Sequence, residues 1–160
     1  MANNNSTRTQ YEAVMDLHYA ACFNHLNERF YRHLRTCLGL IQAALGAGAV
    51  ATLLTEQPEV AAAAAVLTAL AGVVDQVISP AERAGRFNEQ YRRYTELEGR
   101  ASQLSLEELD RELAKIRIDA PAYSISSLAT HAYNSNVRSY GCDEYAIPMT
   151  LGQRIAAFLA

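Results

Sequence analysis

Two stretches almost free of charge constrain what this chain can fold into more than anything else. Residues 38–54 read LGLIQAALGAGAVATLL, with no charge and one strongly polar group, Gln42. Residues 60–78 read VAAAAAVLTALAGVVDQVI, where Asp75 is the sole charge. A helix that crosses a bilayer core needs about 20 mostly apolar residues, within a range of roughly 17–25. Both stretches fall in the lower part of that range. The short segment TEQPE joins them, so two spans so connected must run antiparallel as a hairpin. Pro58 suits the first turn of the second helix, where its missing N–H costs nothing.

The charges around these stretches give the sharper constraint. Arg29, Arg32 and Arg35 precede the first, and Arg83, Arg86, Arg92 and Arg93 follow the second. The connecting turn holds Glu56 and Glu59 and no basic residue. Short cytoplasmic flanks collect Lys and Arg, and translocated loops do not. The pattern therefore predicts an inner-membrane, multi-pass protein with both termini cytoplasmic. Tyr31 and Phe30 add a weak interfacial signal before the first span. A soluble bundle with two alanine-rich helices at its centre is the competing arrangement, and Asp75 is its best support. An aspartate at mid-membrane costs about 2.5–3.5 kcal/mol, while each Leu, Ile or Val returns about 0.3–0.6 kcal/mol. Asp75 lies within a turn of Ser79 and Pro80, close enough to reach the interface, and the membrane hairpin is the preferred reading.

Small residues within the hairpin fall into register. Gly39, Ala43, Ala47 and Ala51 recur every four residues, with Ala44 and Gly48 beside them. On the second span Ala61, Ala65, Thr68, Gly72 and Asp75 alternate steps of four and three, opposite Val66, Leu70, Val73 and Val77. Small residues at such spacing let membrane helices approach closely. One reading is a packing seam, within the hairpin or between copies. The sharper one is a stripe in which Thr68 and Asp75 line a water-filled pathway, since an ionisable group in a span faces a bundle interior or cavity. Two spans cannot enclose a channel, so a pathway requires a homo-oligomer around an axis.

The rest of the chain reads as amphipathic helix, so the fold class is all-α: a two-span hairpin continuous with cytosolic helices, in one unit of residues 1–160. Its parts are an N-terminal helix to residue 37, spans at 38–54 and 60–78, and cytosolic helices with an amphipathic tail from 79 to 160. Tyr11, Val14, Met15, His18, Cys22, Leu26, Phe30 and Leu34 carry a helical period that no proline or glycine interrupts before Gly39. The first helix is therefore expected to run into the first span. Ser79-Pro80-Ala81-Glu82 reads as a capping box with proline at the first helical position, and as a hinge. Phe87, Tyr91, Tyr94 and Leu97 share one side of the next helix. Ser105 and Glu108 form a second capping box, opening a helix with the stripe Leu106, Leu109, Leu113 and Ile116. Pro121 is expected to stop that helix and begin another, and residues 123–140 form a weaker helix ended by Gly141. Residues 150–160 make a short tail with Leu151, Ile155, Phe158 and Leu159 against Gln153 and Arg154. It suits either a membrane surface or docking on other helices.

Chemistry-bearing patterns are sparse. The chain holds no phosphate-binding loop, dinucleotide fingerprint, nucleophile elbow or H-E-x-x-H, and is read as non-enzymatic and without a cofactor. A net charge of −3 gives no electrostatic pull toward nucleic acid. Cys22, Cys37 and Cys142 are odd in number and far apart, which is neither a disulfide framework nor zinc-ribbon spacing. Residues 1–10 lack the charged start, apolar run and cleavage site of a signal peptide. His18, Cys22 and His25 share a helix face and are weak metal candidates, because one helix presents such ligands at strained angles. A half-buried polar seam is the plainer account. Glu107, Glu108, Asp110 and Glu112 read as a solvated face.

The order of parts resembles the SLATT family, two-transmembrane-helix effector proteins associated with nucleotide-sensing prokaryotic defence systems. The likeness covers most of the chain. It rests on DLHYAACFNHLNERFYRHLR, on the two spans with their TEQPE turn, on RAGRFNEQYRRYTELEGR and on LEELDRELAKIRIDAP. It is one of layout rather than of a single diagnostic motif. The resemblance implies a protein that oligomerises and perforates or depolarises the inner membrane, with its cytosolic helices receiving the signal. These residues include no fused sensor, so it also implies a sensor or partner protein acting in trans. Two other readings stand beside it. One is a non-conducting membrane adaptor that binds a partner through the Tyr91 and Tyr94 helix or the tail, and the other is a soluble helical binding protein.

Overall fold

A computed structural model describes residues 8–54 and 58–160, with the side chains of residues 52–54 excepted. Thr55, Glu56 and Gln57 of the expected turn lie outside the described residues. Among the described residues six α-helices follow in order: α1 (Gln10–Leu54), α2 (Pro58–Ile78), α3 (Pro80–Arg100), α4 (Leu106–Ile118), α5 (Ala129–Ser139) and α6 (Leu151–Leu159). Short 3-10 turns lie at Ala101–Gln103, Ser126–Leu128 and Asp143–Tyr145. No strand occurs among the described residues.

The first helix is unbroken, as its uninterrupted period requires. Its 45 residues extend about 68 Å at 1.5 Å per residue. The chain then returns along it. First α2 packs on its apolar half, and then α3 packs on its N-terminal half, with Tyr31 stacked on Phe87 at 5.7 Å and Gln10 bonded to the carbonyls of Ala101 and Leu104.

The N-terminal half of α1 is buried on two sides. Ala13, Leu17 and Ala21 pack with Tyr94, Leu97, Leu109 and Leu113 of α3 and α4. Leu26 packs with Leu128, Ala132, Ala156 and Ala160 of α5 and α6, flanked by Cys22, Phe23 and Phe30. This double embrace corrects the single stripe read from the sequence. Tyr11 is exposed, and Ala13, Leu17 and Ala21, outside that stripe, are among the most buried side chains. Burying a side chain the size of Leu17 or Phe87 contributes about 1.5–3 kcal/mol relative to exposure.

The helix ends follow local chemistry with two exceptions. Ser105 and Glu108 form the expected reciprocal cap, and Thr150 and Gln153 form another at α6. Ser79 does not cap α3: its backbone is left-handed (φ 48°) and its hydroxyl donates backward to the Gln76 carbonyl at 2.8 Å. Nor does Pro121 open a helix. After α4 the chain runs irregularly to residue 125, because its polar backbone finds partners on other helices. The Ile125 N–H donates to Asn27 Oδ1 at 2.7 Å, the Tyr123 carbonyl accepts from Tyr31 Oη at 2.7 Å, and the Asp119 carbonyl accepts from Gln90 Nε2 at 2.7 Å.

Asn27 is fully buried and also donates to the Phe23 carbonyl at 2.8 Å. Removing its carbonyl orphans the Ile125 N–H, which costs about 1–3 kcal/mol for a buried donor. Asn27→Ala is therefore expected to lower the thermal unfolding midpoint measured by circular dichroism. Asn88→Ala, on an exposed position of α3, should leave it unchanged.

Candidate functional site in the apolar hairpin

The apolar half of the molecule has almost no interior. Along α2 Ala61 is buried, while Val66, Leu67, Leu70, Val73, Val74 and Val77 are exposed. On α1 Leu40, Ile41 and Val50 are exposed, Leu40 at 66%. Both helices are long and apolar enough to cross a membrane, and the most apolar window of each is 0% and 6% buried. The central helix of a soluble bundle has the opposite character, since it hides such a surface in its own core.

Half-buried residues mark the seam between the two helices. They are Leu38, Gln42, Leu45, Gly46, Gly48 and Ala49 on α1, and Ala64, Thr68, Ala71, Gly72, Asp75 and Ile78 on α2, with Ala61 buried. The four-residue stripe Gly39, Ala43, Ala47 and Ala51 is exposed and faces away from that seam, as does Ala65 on α2. A Cβ built at Gly39, Gly46, Gly48 or Gly72 meets no atom within 4 Å. The glycines of the hairpin are thus not required for its two helices to meet.

Polar groups on the seam differ in how they are satisfied. The Thr68 hydroxyl donates to the Ala64 carbonyl at 2.8 Å, within its own helix. The side chains of Gln42 and Asp75 have no hydrogen-bond or ion-pair partner among the described residues, although each is half-buried. Gln42 was read from the sequence only as a break in an apolar run. Its place on the seam follows from its spacing, four residues after Leu38 and three before Leu45.

Below the hairpin the chain is jointed on one side and continuous on the other. While α1 passes straight through, the return path breaks between Ile78 and Pro80 at the left-handed Ser79. Proline disfavours the right-handed helical region for the residue before it. The backward bond of Ser79 to Gln76 holds the alternative, and Pro80 is buried against the bundle.

The residues singled out for metal binding are divided among separate partners. His18 Nδ1 lies 2.9 Å from Glu98 Oε1, and its ring meets Tyr140 edge-on. The His25 ring lies 4.8 Å from that of Tyr91. Cys22 packs beside Leu26, and burial pushes its thiol above the usual value, partly offset by a hydrogen bond with Ser135. Among the described residues no three His, Cys, Asp or Glu side chains are grouped to hold a metal. The acidic residues of α4 make exposed pairs, Glu107 with Arg111 at 3.1 Å and Glu112 with Lys115 at 2.6 Å, while Asp110 meets Arg8.

Two surfaces were weighed for a partner, and the structure separates them. Tyr94 is buried and Tyr91 half-buried under His25, so that face of α3 is used internally. The tail docks through its small residues. Ala156 and Ala160 face the Leu26 cluster, Gln153 Nε2 donates to Thr130 Oγ1 at 2.9 Å, and the Leu159 carbonyl lies 2.8 Å from His33 Nδ1. Its bulky stripe of Leu151, Ile155 and Phe158 points outward, with Phe158 88% exposed.

Comparison with protein-family models, with curated proteins and with solved structures returns no match. What the fold itself defines is an all-helical protein with two helices long and apolar enough to cross a membrane.

A β-branched residue at φ 48° is a severe outlier, whereas glycine adopts such a φ freely. Ser79→Val is expected to destabilise the protein by about 1–3 kcal/mol, with Ser79→Gly close to neutral. Thermal unfolding of the two variants side by side measures the difference.

Proposed function

We propose that the hairpin of α1 and α2 spans a membrane, with α3–α6 and the N-terminal half of α1 on the side of the basic flanks, and that several copies associate to make a leak across it. The observation that carries this reading is the state in which one copy leaves the hairpin: aliphatic on its outer surface, with Gln42 and Asp75 left over on its seam. Contiguous exposed apolar surface on this scale is a mark of lipid or protein contact. At 21 residues, α2 is about 31 Å long, against a hydrocarbon core of about 30 Å.

The polar remainder argues for more than an anchor. A polar group placed in hydrocarbon without a partner costs roughly 1–3 kcal/mol by protein mutational data, and more for a charge. Water or a neighbouring copy relieves that cost. The exposed stripe Gly39, Ala43 and Ala47 offers a surface on which another helix can approach closely. Association there would set several copies around one axis. The resemblance in layout to the SLATT family supports the same reading, an inner-membrane depolarising effector triggered in trans through its cytosolic helices. The non-conducting adaptor keeps one specific observation in its favour, the outward stripe of α6.

Expression in bacteria with a potential-sensitive dye tests the proposal. The chain should remain in the membrane pellet after carbonate extraction and should depolarise the cells. Ala43→Phe and Ala47→Phe should abolish depolarisation and the cross-linked oligomer ladder without releasing the protein from the pellet. A membrane-retained protein that leaves the potential intact points to the adaptor, and recovery in the supernatant refutes the span assignment.

A further inference from the structure

Where α2 meets α3, a guanidinium is held flat and unspent. The Arg83 Cζ lies 4.3 Å from the ring centroid of Tyr123 and 5.6 Å from that of Tyr31. One of its five N–H groups donates to Tyr31 Oη at 3.3 Å. Tyr31 Oη is in turn fixed by its bond to the Tyr123 carbonyl at 2.7 Å. No carboxylate among the described residues lies within ion-pair distance of Arg83, whereas Arg32, Arg86, Arg93, Arg100 and Arg111 each have one. Stacking on two rings fixes the plane of the guanidinium while leaving donors along its edge unused.

A cavity of about 280 Å³ opens beside it. Its wall is aliphatic toward the hairpin, at Val77 and Ile78, and charged toward the bundle, at Glu82, Arg83 and Arg86. Glu82 is neutralised by Arg86 at 2.7 Å, so the net charge facing the cavity is that of Arg83. The level also fits. Arg83 lies in the first turn of α3, just past the Ser79 break that ends α2, at the level of a headgroup layer that is roughly 5–8 Å deep in one leaflet.

We infer that this cavity is a binding site for an anionic phospholipid, with the phosphate on the Arg83 guanidinium and an acyl chain along Val77 and Ile78. The inference rests on the membrane reading above. Basic pockets at the foot of membrane helices select anionic headgroups by the same electrostatics. A planar donor fork suits a phosphate better than an ammonium does. A free phosphate would use the charged wall alone and leave the aliphatic one without a role. Because the site straddles the Ser79 joint, a lipid held there touches the end of α2 and the start of α3 together.

Native mass spectrometry on the detergent-purified full chain, stripped of lipid and offered phosphatidylglycerol or phosphatidylcholine, tests the site. Phosphatidylglycerol should be retained preferentially. Arg83→Gln should weaken that retention about tenfold, the scale of one lost charge-assisted hydrogen bond. Arg83→Lys should fall between Arg83→Gln and the parent, and Arg86→Gln, which unpairs Glu82 and takes the cavity's net charge to zero, should weaken retention as well. Arg92→Gln, farther down α3 and outside the cavity, should match the parent. Unchanged helicity by circular dichroism keeps the Arg83 variants interpretable, and Arg86→Gln carries the test should they misfold. Equal retention of both lipids, or of phosphatidylglycerol by all variants, overturns the lipid site while the spans stand. Displacement by millimolar inorganic phosphate reassigns it to a free anion. A chain that purifies without detergent from the soluble fraction overturns the membrane reading and this inference with it.

Discussion

The continuity of α1 is the constraint on which the rest of the structure depends. No proline lies between residues 10 and 54, and the glycines at 39, 46 and 48 are spaced so that helical hydrogen bonding carries through them. Glycine inside a helix costs about 1 kcal/mol relative to alanine, yet none of these interrupts α1. One rod therefore serves two surroundings. Its first half is wrapped by α3 and α4 on one side and by α5 and α6 on the other. Its second half meets α2 and is otherwise clothed in exposed Leu, Ile and Val.

The wrapped half is held by buried amides as well as by hydrocarbon. Asn27, Gln90, Asn134 and Asn136 are buried, and each ties an irregular or distant stretch of backbone to a helix. Asn134 makes two bonds with Ile147, and Asn136 donates to the Met15 carbonyl at 3.2 Å. Such groups stabilise a fold modestly when paired and penalise alternatives strongly when not. This is how the segments after α4 and α5 acquire a definite path without regular structure. Gln90 Oε1 and Asn136 Oδ1 remain unpaired in the described structure.

What was legible in the sequence follows from how local each determinant is. The helical class, the unbroken α1, the apolar hairpin and the cap at Ser105 are set by residues within a turn or two of one another. The path through Pro121 to Ile125 was not legible, because it is fixed by Asn27 and Tyr31, roughly ninety residues earlier. The Ser79 cap failed for a related reason. Its residue pattern fits a cap, but the direction in which α3 must leave to reach the α1 bundle forces the left-handed turn. Of the hairpin residues, the small stripe was visible as a pattern while its outward aspect was not. Seam and surface differ by only one residue step, so Leu38 and Gly39, like Gln42 and Ala43, fall on different faces. Asn27 left one trace that could have been read: an amide three and six residues from Asn24 and Ala21, on the side of α1 that carries Leu17.

The pairing of one continuous helix with one broken return has a mechanical corollary. Two bodies linked by a stiff strut and a single articulated link lose most of their relative freedom; what survives is bending of the strut and torsion about the link. Ser79 is the one break in the return path, and Tyr31, stacked on Phe87 and under Arg83, ties α1 to α3 immediately beneath it. α2 and α3 are thereby joined through a single non-helical residue at the Asp75 end, while α1 runs unbroken beside both.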